Sequence, residues 1–292
     1  MAPSCPEIPP ESDQVFARSL DTMSAPDLYL DLLQRCLTRE LFLDQEVWDV
    51  DLAAWPGGRD AVLPTLRSNN WRVVERRKDD GRRAVGNDWP PTAETMIGTA
   101  RLDNLRACVE SVLADGVPGD LIETGVWRGG STILMRGILA AYGDAERTVW
   151  VADSFQGLPV PDGETYPADD GVDFSGFTQL AVSVEEVRAN FARYGLLDDQ
   201  VRFLEGWFRD TLATAPIEQL AVLRLDGDLY ESTMDALVAL YPKLAPGGYL
   251  IIDDYGAFPA CKAAIEDYRT ANDITEPILE VDWTGAYWRR AQ

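Results

Sequence analysis

Residues 120–131 read DLIETGVWRGGS, a short apolar run that breaks into glycines just where a helical pattern begins. Gly125, Gly129 and Gly130 let the backbone approach a ligand closely, and the segment GGSTILMRGILAAYG that follows carries apolar residues at helical spacing. The spacing is E-x-G-x-x-x-G, distinct from the G-x-G-x-x-G of dinucleotide-binding enzymes, and no P-loop lysine accompanies it. Four more apolar runs come after it, TVWVADS, QVRFLEG, AVLRLDGD and GGYLIIDDY, separated by helical patterns such as STMDALVALYPKL. Repetition of strand and helix predicts a mostly parallel sheet with helices on both faces. The terminal ILEVDWTGAYWRR, two short runs around a Thr-Gly turn, predicts a hairpin that adds an antiparallel edge.

Upstream, RLDNLRACVESVLADG predicts a helix with Leu102, Leu105, Val109, Val112 and Leu113 along one side. DLYLDLLQRCLTRELF predicts an amphipathic helix with Leu28, Leu32, Leu33, Cys36 and Leu37 on its packing face, against the core or a second copy of the chain. Residues 52–90 show no steady period and read as an irregular connection whose basic run RRKDDGRR is solvated surface. The expected organisation is a mobile, Pro- and Ser-rich acidic tail over 1–25, an N-terminal helical and irregular extension over 26–91, and a catalytic domain over 92–292.

The charge balance, 26 basic against 49 acidic residues in 292, gives −23 and argues against a nucleic-acid backbone or an anionic membrane surface as partner. No run approaches the roughly 18 apolar residues of a membrane span, and MAPSCPEIPPESDQ lacks the regions of a signal peptide, so a cytoplasmic location is expected. The four cysteines show no CxxC spacing and are expected as reduced small hydrophobes. The chain has no histidine, which removes Ser-His-Asp and Cys-His catalysis and every imidazole metal site. Its chemistry must come from carboxylates, metals or cofactors.

In an open parallel sheet, ligands collect beyond the carboxyl ends of the strands. The second run ends at Asp153, whose carboxylate can accept both hydroxyls of a ribose or simply cap a turn. The third ends in Gly206, Trp207 and Phe208, which can flank an adenine ring or pack structurally. The fourth and fifth bring Asp226, Asp228, Asp253 and Asp254 to neighbouring ends. Four carboxylates so placed repel and raise one another's pKa unless a cation compensates. Hard oxygen donors favour magnesium over zinc for that cation.

Taken together, the stretches TMIG, RLDNL, GVPGDLIETGVWRGG, VWVADSFQG, RYGLLDDQVRFLEGWF, LRLDGDLYESTMD, PGGYLIIDDYGAFPAC and YWRR resemble the macrocin O-methyltransferase family from about residue 26 to the end. These enzymes use S-adenosylmethionine to methylate sugar hydroxyls of macrolides, aminocoumarins and similar natural products. The resemblance implies a class I methyltransferase (Rossmann-like) α/β fold with a seven-stranded sheet, and Asp226, Asp253 and Asp254 as magnesium ligands. It puts Glu123, Gly125, Trp127 and Ser131 along the cofactor's methionine end and ribose, with Thr124, Ser154 and Asp226 beside them. Asp153 falls at the ribose diol, Met96 at the methionine portion, and Gly206, Trp207 and Phe208 at the adenine. The catechol O-methyltransferases, whose metal site is similar, place a base lysine three residues after the first ligand; here that position is Leu229, which leaves Asp228 as the candidate base. Some relatives carry histidine after IDDY, where this chain has Gly256.

The implied function is Mg²⁺- and S-adenosylmethionine-dependent methylation of a sugar hydroxyl on a small glycosylated acceptor in antibiotic biosynthesis, by a homo-oligomeric enzyme. Residues 156–182 exceed the usual length of an unstructured loop and are expected to form a lid, with Tyr166, Phe174 and Phe177, and Tyr255 opposite, on the acceptor side. Two alternatives stay open: methylation of a catechol or other phenol, and a cofactor-binding protein without turnover.

Overall fold

The structure, a computed structural model, describes residues 23–50, 52, 59–76 and 81–291. The expected tail lies outside the described residues up to residue 22. Helix α1, Ala25–Leu37, starts where Ser24 and Asp27 cap each other's backbone. Its inward face runs through Leu30, Leu33, Gln34 and Leu37, while Leu28 and Leu32 of the expected face are 43% and 52% exposed. Close helix approach explains the choice. Leu33 packs on Gly137 of α4 (Gly130–Ala141) so tightly that a Cβ there would lie 2.4 Å from the leucine Cδ2.

The region expected to be irregular contains helix α2 (Arg59–Asn69), which tolerates Pro64 inside it, and strand β2 (Val74–Glu75), which pairs antiparallel with β1 (Trp48–Asp49) just upstream of that region. Its basic run is not wholly solvated surface. Arg83 is buried, with its guanidinium donating to Glu46 at 2.6 Å, Asp88 at 2.9 Å and the Thr38 carbonyl at 2.6 Å. Three acceptors around one fork satisfy a cation that would otherwise not be buried.

Beyond α3 (Gly98–Ala114) the chain alternates β3 (Asp120–Thr124), α4, β4 (Val149–Asp153), α5 (Val184–Arg193), β5 (Val201–Glu205), α6 (Phe208–Thr211), β6 (Leu220–Leu225), α7 (Tyr230–Leu240), β7 (Leu244–Ile252) and α8 (Pro259–Ala271). It closes with the hairpin β8 (Leu279–Glu280) and β9 (Ala286–Arg289). The seven-stranded sheet has the order β5-β4-β3-β6-β7-β9-β8, parallel except at β9, which runs antiparallel to both neighbours. Two apolar layers cover it. One joins Leu30, Leu102, Ile133 and Phe191 over one face; the other joins Leu237, Ile265 and Trp288 over the opposite face. Strand order reverses between β3 and β6, so the crevice at their carboxyl ends is where a ligand fits between diverging connections. No helix among the described residues is long and apolar enough to cross a membrane.

Candidate active site

The glycine turn after β3 is pressed against the end of β6. Gly125 has φ +86°, and a Cβ there would stand 1.7 Å from the Asp226 carbonyl oxygen, so only glycine fits. The Asp153 carboxylate at the end of β4 braces the turn, accepting the Val126 amide at 2.8 Å and the Phe155 amide at 2.7 Å. Burial pushes its pKa up and these amides pull it back. Each oxygen keeps a further lone pair for a hydroxyl donor. Trp127, at φ +47°, leans outward and donates its indole N–H to the Gln179 carbonyl at 2.9 Å.

Period-two alternation in β6 sends Arg224 and Asp226 to the same side. Arg224 is 1% exposed and donates to Glu123, to Asp253 and, at 2.8 Å, to Asp226. Arg101, from α3, donates to Asp253 at 2.5 Å and to Asp282 at 3.0 Å. Two guanidiniums therefore compensate one half of the acid cluster, a feature absent from the sequence reading. Its signal was present: an arginine inside an otherwise apolar buried strand, two residues before Asp226.

The other half lacks that compensation. Burial, followed by the charges of Asp226 and Asp253, pushes the Asp228 carboxyl up to about 8. Burial and then Asp228 carry Asp254 well above the carboxylate range; Asp226, although paired with Arg224, is still lifted to about 6 by burial and then Asp253. Asp228 sits at φ +57° and donates its amide to Asp254 at 3.2 Å. Asp226, Asp253 and Asp254 each offer one oxygen within 4.8 Å of the others. Both Asp253 oxygens are ion-paired, yet each retains a lone pair, so three hard donors can converge on one cation.

These groups open into one cavity of about 290 Å³. Its floor includes Glu123, Gly125, Trp127 and Ser131; one side carries Asp153, Ser154, Trp207 and Phe208; and the acid cluster with Asp228 closes the other. Met96 and Phe174 also reach it. Glu123 presents a buried Oε2 with no partner, and burial, partly offset by Arg224, raises its carboxyl to about 8. An orphaned acceptor facing a cavity fits the ammonium of an amino-acid ligand.

Other expected residues lie off the cavity wall. Thr124 is buried behind it, its hydroxyl 3.4 Å from the Arg224 carbonyl, and Gly206 holds the turn before Trp207 with φ +139°. Tyr255 turns onto α8, donating to Glu266 with Lys262 over its ring. Tyr166 packs on Tyr230 at 5.9 Å, and Phe177, 46% exposed, bridges Trp89 and Phe174. Trp89 and Trp283 line the cavity and were missed by the sequence reading; Trp283 is fixed by an indole bond of 2.8 Å to the Val85 carbonyl.

A seven-stranded sheet of this order, with a glycine turn after β3, an acid at the end of β4 and carboxylates at its switch point, defines a class I methyltransferase. A family profile described as Macrocin-O-methyltransferase (TylF) matches residues 26–290. The chain is 53% identical to an 8-demethyl-8-(2,3-dimethoxy-alpha-L-rhamnosyl)-tetracenomycin-C 4'-O-methyltransferase of Streptomyces olivaceus, over 92% of this chain and 94% of that one. It is 50% identical to the demethyldecarbamoylnovobiocin O-methyltransferase of Streptomyces niveus, over 93% and 97%, and 48% identical to the mycinamicin III 3''-O-methyltransferase of Micromonospora griseorubida, over 91% and 97%. The solved structure of the O-methyltransferase NovP superposes with a TM-score of 0.79 at 48% identity, covering 91% of this chain and all of that one. The chain belongs to the macrocin O-methyltransferase family and is an O-methyltransferase whose methyl donor is S-adenosylmethionine.

Proposed function

We propose that the enzyme methylates a sugar hydroxyl of a glycosylated natural product in antibiotic biosynthesis, with Mg²⁺ held by Asp226, Asp253 and Asp254 and with Asp228 as the base. The observation that carries this reading is the opening of the three-carboxylate cluster and the orphaned Glu123 oxygen into one cavity. When bound, the cation lowers the pKa of a hydroxyl and orients its oxygen. Asp228 pairs with neither arginine and lines the cavity, so its carboxylate can reach a hydroxyl placed there and take its proton. As the oxygen attacks, the new C–O bond forms while the S–CH₃ bond breaks, the sulfonium becomes a thioether, and the hydroxyl proton passes to Asp228. Glu123 holds the donor's ammonium, Asp153 its ribose, and Trp207 and Phe208 its adenine. Leu229, 1% exposed, occupies the place where a phenol-methylating relative would need its lysine. Residues 156–182, with short 3₁₀ turns at Pro167–Asp169 and Thr178–Leu180, act as a lid that excludes water.

The test is methyl transfer from S-adenosylmethionine to a panel of glycosylated acceptors that includes mycinamicin III and demethyldecarbamoylnovobiocin, read by mass spectrometry. Transfer is expected to stop in chelator and return with Mg²⁺; turnover that persists in chelator excludes the metal. A thermal readout needs no acceptor. The raised carboxyls of the cation-free protein bind more protons folded than unfolded, so its stability falls as pH rises from about 4 towards 8. Added Mg²⁺ should raise Tm most at the alkaline end, and a pH-independent increment would count against binding at these acids.

The exposed Leu28 and Leu32 on α1 support a homo-oligomer joined through that face. Leu32→Glu should shift the molar mass measured by light scattering to that of a monomer; an unchanged mass removes α1 from the interface.

A further inference from the structure

Asp169 is completely buried, although it carries a charge and belongs to a segment whose other residues are largely exposed. Its Oδ1 accepts the Tyr230 amide at 2.6 Å and its Oδ2 accepts the Glu231 amide at 3.1 Å. These are two of the amides that a helix start leaves without intrahelical partners. Leu229, the residue at the cap position of α7, supplies no side-chain acceptor of its own. The lid therefore caps the helix. The negative charge also lies at the positive end of the helix dipole.

This cap sits next to the chemistry. Helix α7 begins two residues after Asp228, and the intervening turn is tight, with the Leu229 amide 2.6 Å from the Gly227 carbonyl. Asp228 itself adopts the left-handed conformation, at φ +57°, so its direction is set by the turn that leads into α7. Within the same first turn, Glu231 pairs with Arg209 on the cavity wall at 3.1 Å, and Tyr230 packs on Tyr166 of the lid. The lid is pinned at its other end by the Trp127 indole on the Gln179 carbonyl and by Phe174 against Phe258 at 5.5 Å.

We propose that Asp169 is a positioning residue that couples the lid to the base: with the lid down it fixes the first turn of α7 and so aims Asp228, and with the lid raised that turn loses its cap and Asp228 loses its aim. The proposal rests on the reading of Asp228 as base and of 156–182 as lid. It gives the enzyme a way to assemble its proton acceptor only once the cavity is covered, which limits wasteful hydrolysis and misplaced transfer.

Asp169→Ala should lower kcat on the order of 10²-fold, the cost of misplacing a reacting group by about an ångström, while the Kd for S-adenosylhomocysteine stays unchanged. Asp169→Asn keeps a neutral acceptor and should fall between Ala and the parent. Turnover is read with the best acceptor of the panel above. An alanine variant that is merely less stable, with kcat intact, overturns the proposal. Should the variants fail to fold, amide exchange on the unmodified protein decides. Adding S-adenosylhomocysteine with Mg²⁺ should protect residues 158–180 and the Tyr230 and Glu231 amides together; protection of the lid without those two amides overturns the coupling. The exchange result does not depend on Asp228, whereas full activity of Asp228→Asn would remove the base assignment alone.

Discussion

Asp228→Asn is expected to lower kcat by about 10²–10⁴-fold, the usual worth of a positioned base, while leaving cofactor affinity unchanged. Asparagine has the same shape, tolerates φ +57° better than most residues, and keeps the backbone amide that Asp254 accepts, so the loop should hold its course. What it lacks is an oxygen that can take a proton. Glu123, proposed to hold the donor, and the buried Arg224 behind it make no hydrogen bond to Asp228, so donor binding should not sense the change. Single-turnover methylation paired with calorimetric titration of S-adenosylhomocysteine separates the two quantities. A variant that turns over at the parent rate would leave solvent, or another carboxylate, as the acceptor of the proton.

Arg224→Met is expected to destabilise the fold by about 3–5 kcal/mol, because it removes the cation from a buried ion cluster without removing the anions. Methionine can fill the volume of a side chain that is 1% exposed, so the deficit should be electrostatic rather than a cavity. The pH dependence tells the two apart. Without the guanidinium, Glu123 and Asp226 lose the group that holds their pKa values down, and both rise further above their unfolded values. The folded variant then binds more protons than the unfolded chain across the neutral range, so its stability should drop as pH climbs. Denaturant unfolding should show a modest deficit near pH 5 and a much larger one near pH 8. Equal deficits at the two pH values would assign the loss to packing.

The sheet was legible because each buried strand is a short apolar run closed by glycine or aspartate, and the terminal hairpin because Thr284 and Gly285 interrupt an alternating pattern. Helix α2 was not, since Pro64 and the preceding glycines mark a break; the helix forms all the same, with none of its residues buried. The stripe expected on α1 divides: Leu33 and Leu37 turn inward with Leu30, Leu33 seated on Gly137, while Leu28 and Leu32 stay exposed, a division that local spacing does not specify. At the site, the four aspartates announced themselves by ending adjacent strands. Arg101 and Asp169 did not, because their partners lie far away in the chain, whereas Arg224 stood out as a lone cation in an apolar strand. Arg101 reaches across 152 positions to Asp253, and Asp169 across 61 to Tyr230. Local pattern carries no record of such approaches.

Between α1 and the glycine turn runs a continuous backbone seam: the Glu94 amide donates to the Leu37 carbonyl at 3.0 Å, and the Gly130 amide donates to the Glu94 carbonyl at 2.9 Å. Arg128 stitches the same strap through the carbonyls of Pro90 and Ala93. Any chimera that transplants the amino-terminal portion of a relative to alter acceptor choice must therefore cut upstream of α1 or downstream of α4. A junction placed inside the seam would mismatch the very peptide groups that tie the glycine turn to the amino-terminal segment.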